Sequence, residues 1–263
     1  MSDPSTNPLL AKVKLPGRIF QLPSRGLFYT NGELSDTVTD GEIHVRPMSA
    51  LAEINMKNPD QLFSGKAVEQ VFKECIDGIN KPSELLAKDV DAIMMYLRTV
   101  TYGAGYEFVA RHSCENATDH TYVADIDELI QRIKFLDPTT IDKTYTLVLP
   151  NEQVVKLNPN KYSQILDLIR DNQSKTEMTV EDMQRNLLAM LLGVIKSVDG
   201  NANYNNIKEW LSTIPTTWTT RIAEKVDGIN SWGPQLTWSC KCADCGEEFP
   251  VEIPINPVSF FTE

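Results

Sequence analysis

One order of elements occurs twice along this chain, and that recurrence constrains the fold more than any single motif. In residues 41–47, Ile43 and Val45 alternate with polar neighbours as in a half-buried strand, and Pro47 ends it or places it on an edge. Ser49 is placed to cap a short helix carrying Leu51 and Ile54. Ala67, Val68, Val71, Phe72, Cys75, Ile76 and Ile79 then recur at helical spacing, with Gly78 near the end of that run. Asp89 is placed to cap a further helix with the stripe Val90, Ile93, Met94, Leu97 and Val100, which Gly103 and Gly105 stop. Tyr106, Phe108 and Ala110 alternate as a strand leading into His112-Ser-Cys114. A return strand near 122–126 precedes a helix over 127–134.

The second half replays this order. Residues 144–149 and 152–157 read as a hairpin about Pro150-Asn151. A helix carries Tyr162, Ile165, Leu166, Leu168 and Ile169, and a polar insert occupies 171–177. Thr179 then opens a strong helix with Met183, Leu187, Leu188, Leu191, Val194, Ile195 and Val198 inward. Asp199-Gly200 matches Asp77-Gly78 in placement, and Trp232-Gly233 matches Tyr102-Gly103. Between them lie two short helices, one with Ile207, Trp210 and Leu211 and one with Trp218, Ile222 and Val226. Strands near 236–238 and 251–255 close the series.

The expected fold is therefore α+β, with two tandem pseudo-repeats of hairpin plus helices plus a zinc-knuckle-like β-hairpin. Residues 1–20 form an N-terminal arm, Pro-rich and polar at its start. Residues 21–142 hold the first repeat, and 143–263 the second with its cysteine knuckle. The alternative is two unrelated α+β segments that share common punctuation.

Cys240-Lys-Cys242-Ala-Asp-Cys245-Gly246 is the most specific chemical signal. A Cys-x-x-Cys-Gly turn aims two thiolates at one centre, and zinc held tetrahedrally needs four ligands. The candidates are Cys240, Cys242 and Cys245, completed by Cys114 and His112 from the equivalent corner of the first repeat. A centre shared between the repeats would pin them together. The competing reading leaves His112 and Cys114 as ordinary strand residues and the C-terminal thiols reduced and metal-free. An odd total of five Cys fits metal binding better than a disulfide framework, and Cys75 belongs to a core helix face.

Several functions are disfavoured. A formal charge of −11 opposes nucleic-acid binding, and Asp244, Glu247, Glu248 and Glu252 deny the knuckle a basic stripe. No apolar run reaches the ~20 residues of a membrane span, and the polar start lacks a secretory h-region, so the cytoplasm of the cell that makes it is the expected site. No Gly-x-Ser-x-Gly elbow, phosphate loop or His-Glu-x-x-His is present, and only three His occur, which points away from an enzyme. Leu27, Phe28 and Tyr29, presented by a Pro23–Gly26 turn, and Phe260 with Phe261 are candidate partner-binding anchors. Burial in the chain's own core is the alternative for all five.

The run Leu22-Pro-Ser-Arg-Gly-Leu-Phe-Tyr29 is followed by Gly41-Glu-Ile, Arg46-Pro-Met48, Phe63-Ser-Gly-Lys-Ala-Val68 with Cys75, and Leu97-Arg98 with Thr101-Tyr-Gly103. In this order the motifs resemble the baseplate hub proteins of T-even-like contractile-tailed phages, a family that includes a hub subunit and a hub assembly catalyst. The likeness is densest over about 20–134. Members tend to carry a second Cys where Ala117 stands, which argues against a separate metal site in the first repeat. The resemblance implies a tail hub protein whose partners are other baseplate hub proteins and the tape measure protein, with no catalytic residues. The alternatives are a transient assembly chaperone absent from the virion and a zinc-knuckle nucleic-acid adaptor.

Overall fold

The computed structural model describes residues 16–58, 61, 65–115, 117–172, 178–255 and 260–261. Residues 1–15 of the expected arm and 173–177 of the polar insert lie outside them. The remainder of the expected arm is not all arm, because β1 (Arg18–Gln21) pairs antiparallel with β2 (Glu42–Val45).

Helices and small antiparallel sheets make the fold α+β. In α1 (Ala50–Met56), Ser49 accepts a hydrogen bond from the Ala52 N–H, as its cap position predicts. The expected apolar stripe of this helix is inverted. Ala52 and Met56 are buried, whereas Leu51 and Ile54 are 63% and 64% exposed. Two turns of helix bury only the side that meets α2 (Lys66–Cys75), and the branched residues face outward.

That second helix also ends earlier than its periodicity predicts. Ile76 leaves it in an extended conformation, and β3 (Ile76–Asp77) joins β2, with Ile76 opposite Val45. The same change of state recurs later. After the short helix α5 (Ile141–Thr144), β6 (Thr146–Val148) and β7 (Val154–Leu157) form a hairpin, and α6 (Tyr162–Asn172) leads to α7 (Val180–Val194). The chain then passes directly into β8 (Ile195–Val198), which pairs with β7. Without β3 and β8, the outer edges of β2 and β7 would leave backbone groups unpaired, and β-branched Ile76 and Ile195 suit a strand. Each half thus contains a three-stranded antiparallel sheet, in the orders β1-β2-β3 and β6-β7-β8, whose third strand follows a helix.

In the first half α3 (Ala87–Tyr102) packs against β2, and in the second α8 (Tyr204–Thr213) lies against β8 while α9 (Thr216–Ile229) packs on α7. Gly103, at φ +89°, halts α3 as expected. Asp89 does not cap it, because the helix begins two residues earlier. Instead Asp89 is fully buried and accepts hydrogen bonds from the Ser24 N–H (2.9 Å) and the Tyr29 hydroxyl (2.7 Å). Tyr29 in turn accepts from the Leu86 N–H at 2.8 Å, so the 22–29 segment is locked onto the start of α3.

Each half finishes in a two-stranded hairpin. The first is β4 (Gly105–Ala110) with β5 (His120–Asp125), followed by α4 (Ile126–Gln131). The second is β9 (Thr237–Lys241) with β10 (Glu248–Glu252). The hydrophobic cores do not follow the sequence halves. The first core, around Val71, Phe72, Ile93 and Leu97, also contains Cys240, Phe249, Ile253, Phe260 and Phe261. The second, around Val155, Leu191, Ile222 and Trp232, takes Leu86 and Leu136 from the first half.

Candidate metal centre

The tips of the two terminal hairpins meet. The segment between β4 and β5 brings His112 and Cys114, and the β9–β10 turn brings Cys242 and Cys245. The four potential ligand atoms lie within 4.8 Å of one another. Cys242 is buried, His112 and Cys114 are half-buried, and Cys245 is exposed, so the group opens to solvent on one side. In the β9–β10 turn the Cys242 N–H donates to the Glu247 carbonyl and the Gly246 N–H to the Cys242 carbonyl. Gly246 sits at φ +80°, a conformation that the missing side chain makes accessible.

The donor set fits a single tetrahedral ion. Metal–sulfur bonds of ~2.3 Å and metal–nitrogen bonds of ~2.0–2.1 Å imply tetrahedral edges of roughly 3.8 Å between sulfurs and roughly 3.5 Å between sulfur and nitrogen. Cys114 Sγ and Cys242 Sγ are 3.8 Å apart, and Cys245 Sγ lies 3.3 Å from His112 Nδ1. The group could therefore hold a metal ion. Backbone N–H groups of Cys245 and Asp244 lower the Cys242 thiol to about 6, whereas burial and the neighbouring sulfurs push Cys114 up to about 11. Three thiols this close do not all ionise readily, and a cation among them removes the conflict.

Cys240 does not join the group. It stands opposite Phe249 in the β9–β10 ladder and is buried in the first core, where burial raises its thiol pKa. His120, a few residues beyond Cys114, turns instead to Asp244, with Nε2 3.0 Å from Oδ2. Asp244 also accepts from the Thr118 N–H at 3.0 Å, and these two contacts hold its carboxyl below the usual range. This second bridge between the hairpins escaped sequence reasoning, because an exposed Asp and a His over a hundred residues apart carry no shared pattern. The Phe249 ring beneath is faced by His112 at 4.7 Å and by Tyr122, edge-on, at 5.9 Å.

None of the five expected partner anchors is free. Phe260 and Phe261 are completely buried. The Arg98 guanidinium donates to the Phe260 carbonyl, the Tyr102 hydroxyl donates to the Phe261 carbonyl at 3.1 Å, and the Phe260 ring meets Tyr106 at 5.0 Å. Leu27 and Phe28 pack against the second core, with Phe28 4.9 Å from the Tyr145 ring, and Tyr29 touches both cores. The chain's own cores thus cover Phe260 and Phe261 fully and Leu27, Phe28 and Tyr29 in part.

Fold and site together define an α+β protein whose terminal hairpins converge on a possible metal corner. Residues 34–262 match the family model described as T4 bacteriophage base plate protein, and the chain belongs to that family. No curated protein and no solved structure matches it. Among the described residues, no helix is long and apolar enough to cross a membrane.

Proposed function

We propose that the chain is a protein of the phage tail baseplate hub that acts by binding other hub and tail proteins, the tape measure protein among them, and catalyses no reaction. The observation that carries this reading is the family match over 34–262, which names the baseplate; the hub-like motifs of 22–103 narrow it to the hub. The non-catalytic reading is supported by the sequence, which carries no Gly-x-Ser-x-Gly elbow, phosphate loop or His-Glu-x-x-His. The contact surfaces would be the outward apolar residues, Leu51 and Ile54 on α1 and, on α7, Val180 and Met183, the latter expected inward from its spacing but 54% exposed in the first turns of the helix. His112, Cys114, Cys242 and Cys245 would hold zinc, whose preference for sulfur and nitrogen in a tetrahedron suits them. The role of the ion is structural, because all four positions are filled by side chains.

Removing the gene from an infecting phage and examining lysates by electron microscopy tests the reading. Tail production should stop before complete baseplates form, and normal tails would overturn it. Mass spectrometry of purified wild-type virions then separates a virion component from an assembly chaperone that acts in the host cytoplasm and leaves. A nucleic-acid adaptor is disfavoured by the exposed carboxylates of Glu247, Glu248 and Glu252 beside the knuckle.

A further inference from the structure

The C-terminal segment from β9 onward is fastened to the first core without sharing a sheet with it. Among the described residues, β9 and β10 pair with each other, as do β4 and β5, and no ladder joins the two hairpins. A two-stranded hairpin is marginal in water and needs other contacts to persist. Along the body of the hairpin, Cys240 and Ile253 are buried in the first core and Trp238 lies under the Arg132 guanidinium at 5.4 Å; the other contacts fall at two places. At the far end of the segment, Phe260 and Phe261 fill the core beneath Arg98, Tyr102 and Tyr106. At the turn, the ties are the His112, Cys114, Cys242 and Cys245 group, the bridge from Asp244 to Thr118 and His120, and the Phe249 ring between His112 and Tyr122.

We propose that a zinc ion bound by His112, Cys114, Cys242 and Cys245 is the fastening of a C-terminal clasp, so that metal loading closes the β9–β10 hairpin onto the β4–β5 hairpin. This rests on the zinc reading above. Thiol and imidazole groups without an ion offer only weak hydrogen bonds across the gap. One ion replaces them with four strong bonds, two from each hairpin, and its binding energy becomes energy of closure. The aromatic plug is independent of the metal. Removing the ion therefore frees the turn while the plug stays seated. The consequence is local, confined to the segment that crosses from the second half to the first.

The test uses the full chain as purified, with zinc measured by elemental analysis and amide hydrogen exchange followed before chelation, after chelation and after zinc is restored. Amides in 237–252 and 110–120 should exchange roughly ten-fold faster or more in the metal-free protein and recover with zinc, while those of α2 and α3 are unchanged. Cys114→Ser and His112→Ala should show the same pattern with zinc present. If zinc is bound at one ion per chain but its removal leaves 237–252 as protected as before, the clasp is wrong and the zinc assignment stands. If no zinc is bound, both fail together. Loss of protection throughout the chain would also overturn the clasp, since the ion would then support the whole fold.

Discussion

Truncating Phe260 and Phe261 to alanine should destabilise the isolated protein severely. Both side chains are fully buried, packed edge-on against each other at 5.6 Å, with Phe260 also against Tyr106. A buried Phe→Ala change costs about 3–5 kcal/mol through lost transfer energy and the cavity left behind. Because the two rings share one site, their effects do not add fully, and the double variant should lose about 5–8 kcal/mol. A domain holds about 5–15 kcal/mol in total, so the double variant should be largely unfolded or sharply lowered in its urea midpoint. Undocking the tail also takes the Phe260 carbonyl from the Arg98 guanidinium, which is 4% exposed and would keep its charge in an apolar setting. Urea titration followed by circular dichroism, with the single variants alongside, measures this. A loss of less than about 1 kcal/mol for the double variant would refute the reasoning and return the two rings to the role of external anchors.

Three further outcomes are expected. Burial pushes the Asp89 carboxyl up to about 6 despite its hydrogen bonds from Ser24 and Tyr29, so the folded state holds this proton more tightly than the unfolded chain. Its contribution is then complete below about pH 4 and is lost as pH rises through about 6, by on the order of 3 kcal/mol; urea titrations from pH 4 to 7 should show wild type losing that much relative to Asp89→Asn, and a constant difference would refute it. Gly41→Ala should cost more than Gly32→Ala: both sit at φ near +70°, but a Cβ at Gly41 would lie 2.8 Å from the Arg25 backbone, whereas Gly32 faces open space, and equal melting shifts would contradict the contact argument. Leu51→Gln with Ile54→Gln should leave stability within about 0.5 kcal/mol while lowering tail yield in complementation assays, and unimpaired tails would remove α1 from the contact surface.

Local chemistry was legible in the sequence wherever it depends on neighbours along the chain. Ser49 and Thr179 cap the helices they precede, Gly103 stops α3, and Gly246 turns the knuckle, because each acts within a few residues of itself. The α+β class followed from periodicities of 3.6 and 2. The quartet His112, Cys114, Cys242 and Cys245 was reachable because the order of elements put both corners at equivalent places. Periodicity marks which face of an element is apolar, but it does not say what covers that face. Tertiary structure alone decided that Leu51 and Ile54 face outward and that Phe260, Phe261 and the 27–29 run serve the chain's own cores. It likewise turned Ile76 and Ile195 from helix to strand, since the need for a ladder partner lies on β2 and β7, distant in sequence. Cys240 shows the same limit at the scale of one side chain. Its spacing from Cys242 suits a ligand, but its place opposite Phe249 turns the sulfur into the core, and register between strands is a property of the folded pair.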